Sequence, residues 1–146
     1  KKYQFEHFTQ NDAMCLADIM MQEAKKCGRP VCFSVYLNQC IVFQYLPEGT
    51  GPLNEKWMKR KIETVMTLRW STMHFWCWQE KYPGIQRTGE LYPEGEIFPC
   101  GGGFPINVKS SGVVGAIAVS GLGDQQEHEF ILECLEKYQQ KEEIQK

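Results

Sequence analysis

The sequence predicts a mixed α/β domain in which helices cover a sheet built from β-hairpins. Two pairs of short runs rich in β-branched and aromatic residues, each pair joined by three residues, predict two hairpins. Apolar residues recur at helical spacing before, between and after these pairs, and they predict the covering helices. Short connections favour antiparallel pairing of the strands. The length of 146 residues suits a single domain over 1–146.

The first helix is predicted over residues 11–27, where apolar side chains recur every three or four positions. Asn11 or Asp12 is expected to cap its start, because both side chains accept hydrogen bonds from free backbone N–H groups. Strands over 31–37 and 41–46 follow and form the first hairpin.

A second helical stretch begins near Asn54 and runs towards Glu80. A continuous helix of this length would span ~39 Å, about the width of the whole domain. We therefore expect a break near residues 71–72. The segment 82–103 is rich in glycine and proline and predicts a loop, with a short strand near 96–99.

The second hairpin is predicted from strands over 104–109 and 113–120. The last helix is expected to start at Asp124, where Asp124 and Glu127 form a D-x-x-E capping pattern. The polar residues 139–146 are expected to form a frayed tail.

Charge and cysteine content exclude several classes of protein. Sixteen basic and eighteen acidic residues give a formal charge of -2, which offers no footprint for nucleic acid or an anionic membrane. No apolar stretch approaches the ~20 residues of a spanning helix, and the first residues lack a signal-peptide core. The seven cysteines contain no C-x-x-C pair, so no metal site is expected. These features predict a cytoplasmic protein with reduced cysteines.

Several motifs resemble the haem-degrading (GlcG-like) family. Residues 99–106, Pro-Cys-Gly-Gly-Gly-Phe-Pro-Ile, resemble the family's Gly-Gly-x-Phe-Pro-Ile stretch. Residues 112–122 resemble the strand and glycine turn that follow it, and residues 57–61 resemble the start of the central helix. The pair Glu127-His128 is similar to an acidic–histidine pair in an uncharacterised, cytosolic branch of the family.

This resemblance implies a profilin-like α+β fold, with a roughly five-stranded antiparallel sheet flanked by helices on both faces. It also implies symmetric homo-oligomers, and haem or a related tetrapyrrole as the cofactor. The leading hypothesis is a homo-oligomeric small-molecule-binding protein. One alternative is a protein–protein interaction module with no catalytic activity, and a second is a haem-degrading enzyme. The sequence shows no catalytic constellation, so catalytic residues stay unassigned.

Two glycine clusters are the candidate ligand site. Glycines let a ligand or another backbone approach closely, and a helix N-terminus attracts a carboxylate or phosphate. Turn geometry alone is the alternative explanation of both clusters. The predicted ligand-binding residues here are Gly101, Gly102, Gly103, Phe104, Gly121 and Gly123.

Two histidines are further candidates. His74 lies between Trp70 and Trp78 at four-residue spacing, which on one helix face suits a planar ligand with an axial histidine. The alternative is a subunit interface near Trp70, Trp76 and Trp78, because tryptophan is enriched at interfaces. His128 is a candidate proton donor or ligand near the glycine turn, or else a partly exposed helical histidine.

Three other side chains remain open at this point. Cys100 lies beside the glycines, where free backbone N–H groups would lower its pKa and favour a nucleophile, but no Cys-His pairing can be read from the sequence. Arg60 and Lys61, within the short basic run after Trp57, are either ligands for an acidic molecule or, by default, exposed helix charges.

Overall fold

The computed structural model describes residues 3–83 and 95–145, which form five strands and four helices. In chain order these are β1 (Gln4–Phe5), α1 (Gln10–Lys26), β2 (Cys32–Leu37), β3 (Cys40–Tyr45), α2 (Pro52–Leu68), α3 (Thr72–Lys81), β4 (Gly103–Val108), β5 (Gly112–Ser120) and α4 (Asp124–Ile144). The predicted α/β class and both hairpins are confirmed.

The five strands form one sheet in the order β1-β4-β5-β2-β3. The pairs β2–β3, β2–β5 and β4–β5 are antiparallel, as the short connections predict. The sheet is therefore mainly antiparallel, and β1 adds one parallel pair with β4. The sequence analysis missed β1 altogether, since two residues carry no periodic signal.

Helices cover both faces of the sheet. On one face α1 and α4 share a core with the sheet residues Phe33, Val35 and Ile117. On the other face Met58 of α2 packs with Cys32 and with small residues of β5. A short side chain on the sheet lets a helix come close, so the alanines of β5 bring α2 near the strands.

The start of α1 differs from the prediction. Its cap is Thr9, whose Oγ1 accepts a hydrogen bond from the backbone N–H of Asp12 at 3.2 Å. The carboxylate of Asp12 in turn accepts from the backbone N–H of Thr9 at 2.7 Å. Asn11 and Asp12 are therefore not the caps, although Asp12 completes the capping box from inside the helix.

The predicted break in the second helical stretch is confirmed. Arg69 ends α2 in a left-handed conformation with φ 62°. Ser71 then caps α3, and its Oγ accepts from the backbone N–H of His74 at 3.0 Å. The chain thereby turns before the helix outgrows the domain.

Two predictions near the end of the chain are corrected. Residues 96–99 form no strand, and the rest of the predicted loop lies partly outside the described residues. The cap of α4 is Gly123, because the side chains of Asp124 and Glu127 bind other elements. Residues 139–144 belong to α4, and fraying of this last part of the helix stays a prediction. Within 3–83 and 95–145, no helix is both long and apolar enough to cross a membrane.

Candidate functional site

A cleft of about 460 Å³ opens where α2, the end of β5 and the start of α4 meet. This volume lies in the range of small-molecule sites, roughly 300–1,000 Å³. The cleft has a polar floor, an aromatic wall and a cationic rim. The residues that line it are Arg29, Asn54, Trp57, Lys61, Pro99, Cys100, Ser120, Gly121, Leu122, Gly123, Asp124 and Glu127.

Lys61 lies at the floor of the cleft with 3% of its surface exposed. Its Nζ donates to the backbone carbonyl of Val119 at 2.6 Å and to Oε1 of Glu127 at 2.9 Å. The expectation of an exposed helix charge is wrong for Lys61. The helical spacing did not reveal this, because the partner is 66 positions away in the chain.

Glu127 completes this buried ion pair from α4. Its Oε2 accepts from the backbone N–H of Leu122 at 3.2 Å, which fixes the turn after β5. Burial raises the pKa of the Glu127 carboxyl, and the ammonium of Lys61 opposes that rise. An ammonium has three protons, and the two hydrogen bonds of Lys61 use two of them.

The wall of the cleft is aromatic. Trp57 lines it and packs edge-on against Phe98, with ring centroids 5.5 Å apart. The guanidinium of Arg60 lies 4.9 Å from the Trp57 ring and 5.2 Å from the Phe98 ring. These contacts hold the Trp57 indole in place beside the floor.

The three consecutive glycines are buried under the cleft instead of lining it. A Cβ on Gly101 would lie 1.8 Å from the backbone oxygen of Asp124. Gly102 has φ +90°, and a Cβ there would lie 2.7 Å from the carbonyl oxygen of Val119. Gly103 donates its N–H to Oγ1 of Thr72 at 2.9 Å. Close backbone packing therefore accounts for this cluster.

The second glycine cluster does line the cleft. Both Gly121 and Gly123 face it. Gly121 has φ +116° and lies against the backbone of Pro30, which explains the need for glycine there. Asp124, the first residue of α4, accepts from the N–H of Gly101 at 2.9 Å and keeps a carboxylate at the rim.

Phe104 and His128 come together away from the cleft. Their ring centroids are 6.0 Å apart, and Tyr3 packs edge-on against Phe104 at 5.7 Å. Nδ1 of His128 is buried and has no hydrogen-bond partner among the described residues. Burial lowers the pKa of His128, because the charged imidazolium loses its hydration.

His74 lies on a third surface. It is exposed on α3 and stacks on Trp70, with ring centroids 4.3 Å apart and planes at 19°. The ring of Trp78 lies 6.2 Å from that of Trp70. Trp76 is half-buried and lines a separate apolar surface with Met73 and Cys77. The structure thus does not bring His74 and His128 to the cleft.

Cys100 lines the cleft, but the expected lowered pKa is wrong. The thiol is 6% exposed, and its burial raises the pKa to about 11. Its Sγ donates to the carbonyl of Phe98 at 3.6 Å. The thiol is therefore protonated at neutral pH and is not a ready nucleophile. Across the described ranges, no three metal-ligating side chains form a group.

The arrangement of five strands and four helices defines a class of α+β protein found in several solved structures. The structure of the Ybr137w protein matches with a TM-score of 0.79 at 22% identity, covering 92% of this chain and 81% of that one. A structure of HbpS matches with a TM-score of 0.69 at 22% identity, covering 90% and 89%. A PduOC:heme complex matches with a TM-score of 0.72 at 15% identity, covering 88% and 92%.

The chain belongs to the family of HbpS-like haem degrading proteins, whose family model matches residues 8–136. A UPF0303 protein of Acidobacterium capsulatum is 31% identical over 132 residues, which is 90% of this chain and 79% of the relative. A UPF0303 protein of Streptomyces avermitilis is 29% identical over 133 residues, or 90% and 81%. The family resemblance of the sequence motifs is confirmed.

Proposed function

We propose that this protein binds haem or a related tetrapyrrole, as a homo-oligomer, in the cleft between α2 and α4. The observation that carries the proposal is the position of buried Lys61 between the Trp57 wall and the Arg29 rim. Membership of the HbpS-like family and the structural likeness to a protein in complex with heme support this class of ligand.

The chemistry of the cleft suits a flat molecule that carries carboxylates. The Trp57 indole offers an apolar face to a ring, and aromatic pairs favour offset or edge-on packing. The Arg29 guanidinium and the remaining Lys61 proton each suit a carboxylate oxygen. Glu127 is neutralised by Lys61, so among residues 3–83 and 95–145 Asp124 is the one acidic side chain of the cleft lining without a cationic partner.

The proposed cleft contains no histidine, which separates two modes of haem binding. If iron ligation by histidine holds the ligand, the site lies at His74 or His128 and not in the cleft. Binding in the cleft instead predicts that the affinity follows Trp57 and Arg29. The two modes give opposite results with the same set of variants.

The test is a titration of the purified protein with haemin, followed by the Soret band, with light scattering after size exclusion to give the mass. We expect a saturable shift at a fixed ratio per chain. Trp57→Ala and Arg29→Gln should each weaken it by about two- to tenfold, the equivalent of roughly 0.5–1.5 kcal/mol. Trp76→Ala, which removes another half-buried tryptophan outside the cleft, is the matched control.

The outcomes separate the alternatives. A shift that His74→Ala or His128→Ala abolishes, and that Trp57→Ala leaves intact, would move the site to a histidine. A flat or non-saturable titration of the folded protein would rule out haem. Loss of the Soret band with time, once a reductant is supplied, would indicate the haem-degrading enzyme.

A second candidate function is a protein interaction module, and the apolar surface of α3 favours it. Met73, Trp76 and Cys77 lie together on this surface, and Cys77 is exposed. Methionine and tryptophan are enriched at interfaces. The predicted subunit interface near Trp70, Trp76 and Trp78 involves the same helix. Trp76→Lys should lower the mass of the oligomer if this interface forms, and should leave haemin binding in the cleft unchanged.

A further inference from the structure

The strand β3 forms one edge of the sheet. In the described part of the chain it pairs with β2 alone, and its other side has no strand beside it. An edge strand directs alternate backbone N–H and C=O groups outwards, which makes it a template for another strand. The opposite edge is β1, which has two residues and is too short for extended pairing.

The sequence of β3 lacks the features that normally protect an edge. Residues 40–46, Cys-Ile-Val-Phe-Gln-Tyr-Leu, contain no charged residue and no proline. One protective feature is present, a bulge at which the register with β2 skips Val42. The residues after Val42, Phe43 to Tyr45, keep regular pairing with β2.

Exposed apolar side chains concentrate beside this edge. Ile41 is 42% exposed, Leu46 is 37% exposed and Leu53 is 65% exposed. They are three of the six large apolar residues that are exposed in the described ranges. A hydrogen bond of 3.0 Å from Gln44 to Glu55 joins β3 to the first turn of α2, the turn that also carries Leu53.

We infer that β3 pairs antiparallel with β3 of a second copy of this chain, so that two sheets join into one across a two-fold axis. In such a pair the strand meets its own sequence running in the opposite direction, and a charge near its centre would face the same charge of the other copy. The uncharged residues 40–46 avoid that repulsion, and the exposed apolar residues beside them gain cover. This surface is separate from both the cleft and the apolar surface of α3.

The test uses paired charge variants of the full chain. I41K/L46K and I41E/L46E each place like charges on both sides of the two-fold axis. Light scattering after size exclusion should show that each variant alone has half the mass of the unmodified protein. Mixing the two variants in equal amounts should restore the full mass, because opposite charges then face each other. Met14→Lys changes an apolar residue of similar exposure, 40%, on α1 and should leave the mass unchanged.

Circular dichroism shows whether each variant is folded, so that a lower mass caused by unfolding is not mistaken for dissociation of a folded dimer. Three results would overturn the inference. The first is a single-chain mass for the unmodified protein, the second is an unchanged mass for both folded charge variants, and the third concerns the mixture. If each variant dissociates but their mixture does not associate, the edge contacts a different surface and pairing between two β3 strands is excluded. Haemin binding is not an input to this test, so its failure leaves the proposed haem site in the cleft standing.

Discussion

Nζ of Lys61 lies 2.9 Å from Oε1 of Glu127, and both side chains are almost completely buried. This ion pair joins α2 to α4 across the end of β5. Through Val119 and Leu122 it also fixes the backbone on both sides of the turn that lines the cleft. The same two residues therefore determine the stability of the domain and the shape of its candidate site.

Removing one partner of this pair should cost far more than removing both. Lys61→Met leaves the Glu127 carboxylate buried without its cation, and we expect a loss of about 3–5 kcal/mol. The double variant K61M/E127L replaces both charges by apolar groups and should recover most of that loss. Urea denaturation of the two single variants and the double variant gives the coupling free energy.

The pH dependence of Lys61→Met provides a second readout. Burial already raises the pKa of Glu127 in the intact protein, and loss of the ammonium removes the effect that opposes this rise. A carboxyl with a raised folded pKa destabilises the protein above its unfolded pKa and regains stability as the pH falls. The deficit of Lys61→Met should shrink between pH 7 and pH 4.5. Two results together would contradict the role of the ion pair. The free-energy changes of the single variants would add up to that of the double variant, and the loss of stability in Lys61→Met would not change with pH.

The buried glycines provide a prediction about backbone packing. A Cβ at Gly101 would lie 1.8 Å from the Asp124 carbonyl oxygen, so Gly101→Ala must displace the start of α4. We expect a destabilisation of about 3 kcal/mol or more, at the upper end of overpacking effects. Gly28→Ala is the matched control, because its Cβ would meet nothing within 4 Å. Thermal unfolding of both variants checks this, and equal melting temperatures would disprove it.

The sequence predicted those parts of the fold that local patterns encode. Runs of β-branched and aromatic residues over 31–37 and 41–46 identify the first hairpin, and helical periodicity places α1 within a residue of its observed bounds. The break between α2 and α3 followed from the length of the domain. The first strand was missed because its pairing with β4 comes from a contact about a hundred positions away, which no local pattern records.

The candidate site was predicted only in part, because some of its contacts also join residues that are far apart in the chain. Gly121 and Gly123 line the cleft as expected, since the glycine turn and the helix start adjoin in sequence. Lys61 was misjudged because its basic neighbours are typical of a solvated face, whereas its burial depends on Glu127. Glu127 lies in the first turn of α4, where an acidic residue is also expected as part of a capping pattern. The sequence alone therefore did not distinguish a capping role of Glu127 from an ion pair with Lys61.

Acid should destabilise the protein through His128. Burial lowers its folded pKa below the ordinary value of ~6.5, so unfolding takes up a fraction of a proton per chain. The contribution of the neutral His128 to the free energy of unfolding is complete above the pKa that this histidine has in the unfolded chain. It is lost as the pH falls from that value towards the lower pKa of His128 in the folded protein. The free energy of unfolding should therefore drop between pH 8 and pH 5.

His128→Leu removes this titrating group and should flatten that part of the pH profile. His74→Gln, which replaces an exposed histidine of α3, is the control for the loss of a histidine outside the core. Urea titrations at five or six pH values measure the difference between each variant and the parent. A steeper profile for His128→Leu would show that the imidazole is charged in the folded state.

The cysteines should divide into two groups by their rate of alkylation. Burial raises the pKa of Cys100 to about 11 and that of Cys134 to about 12, and both thiols are inaccessible. Iodoacetamide at pH 8 should therefore modify the exposed Cys15, Cys40 and Cys77 first. Mass spectrometry of digested samples over time gives the rate at each position. Cys100 and Cys134 should react only in denaturant, and fast labelling of Cys100 in the folded protein would show a thiolate in the cleft.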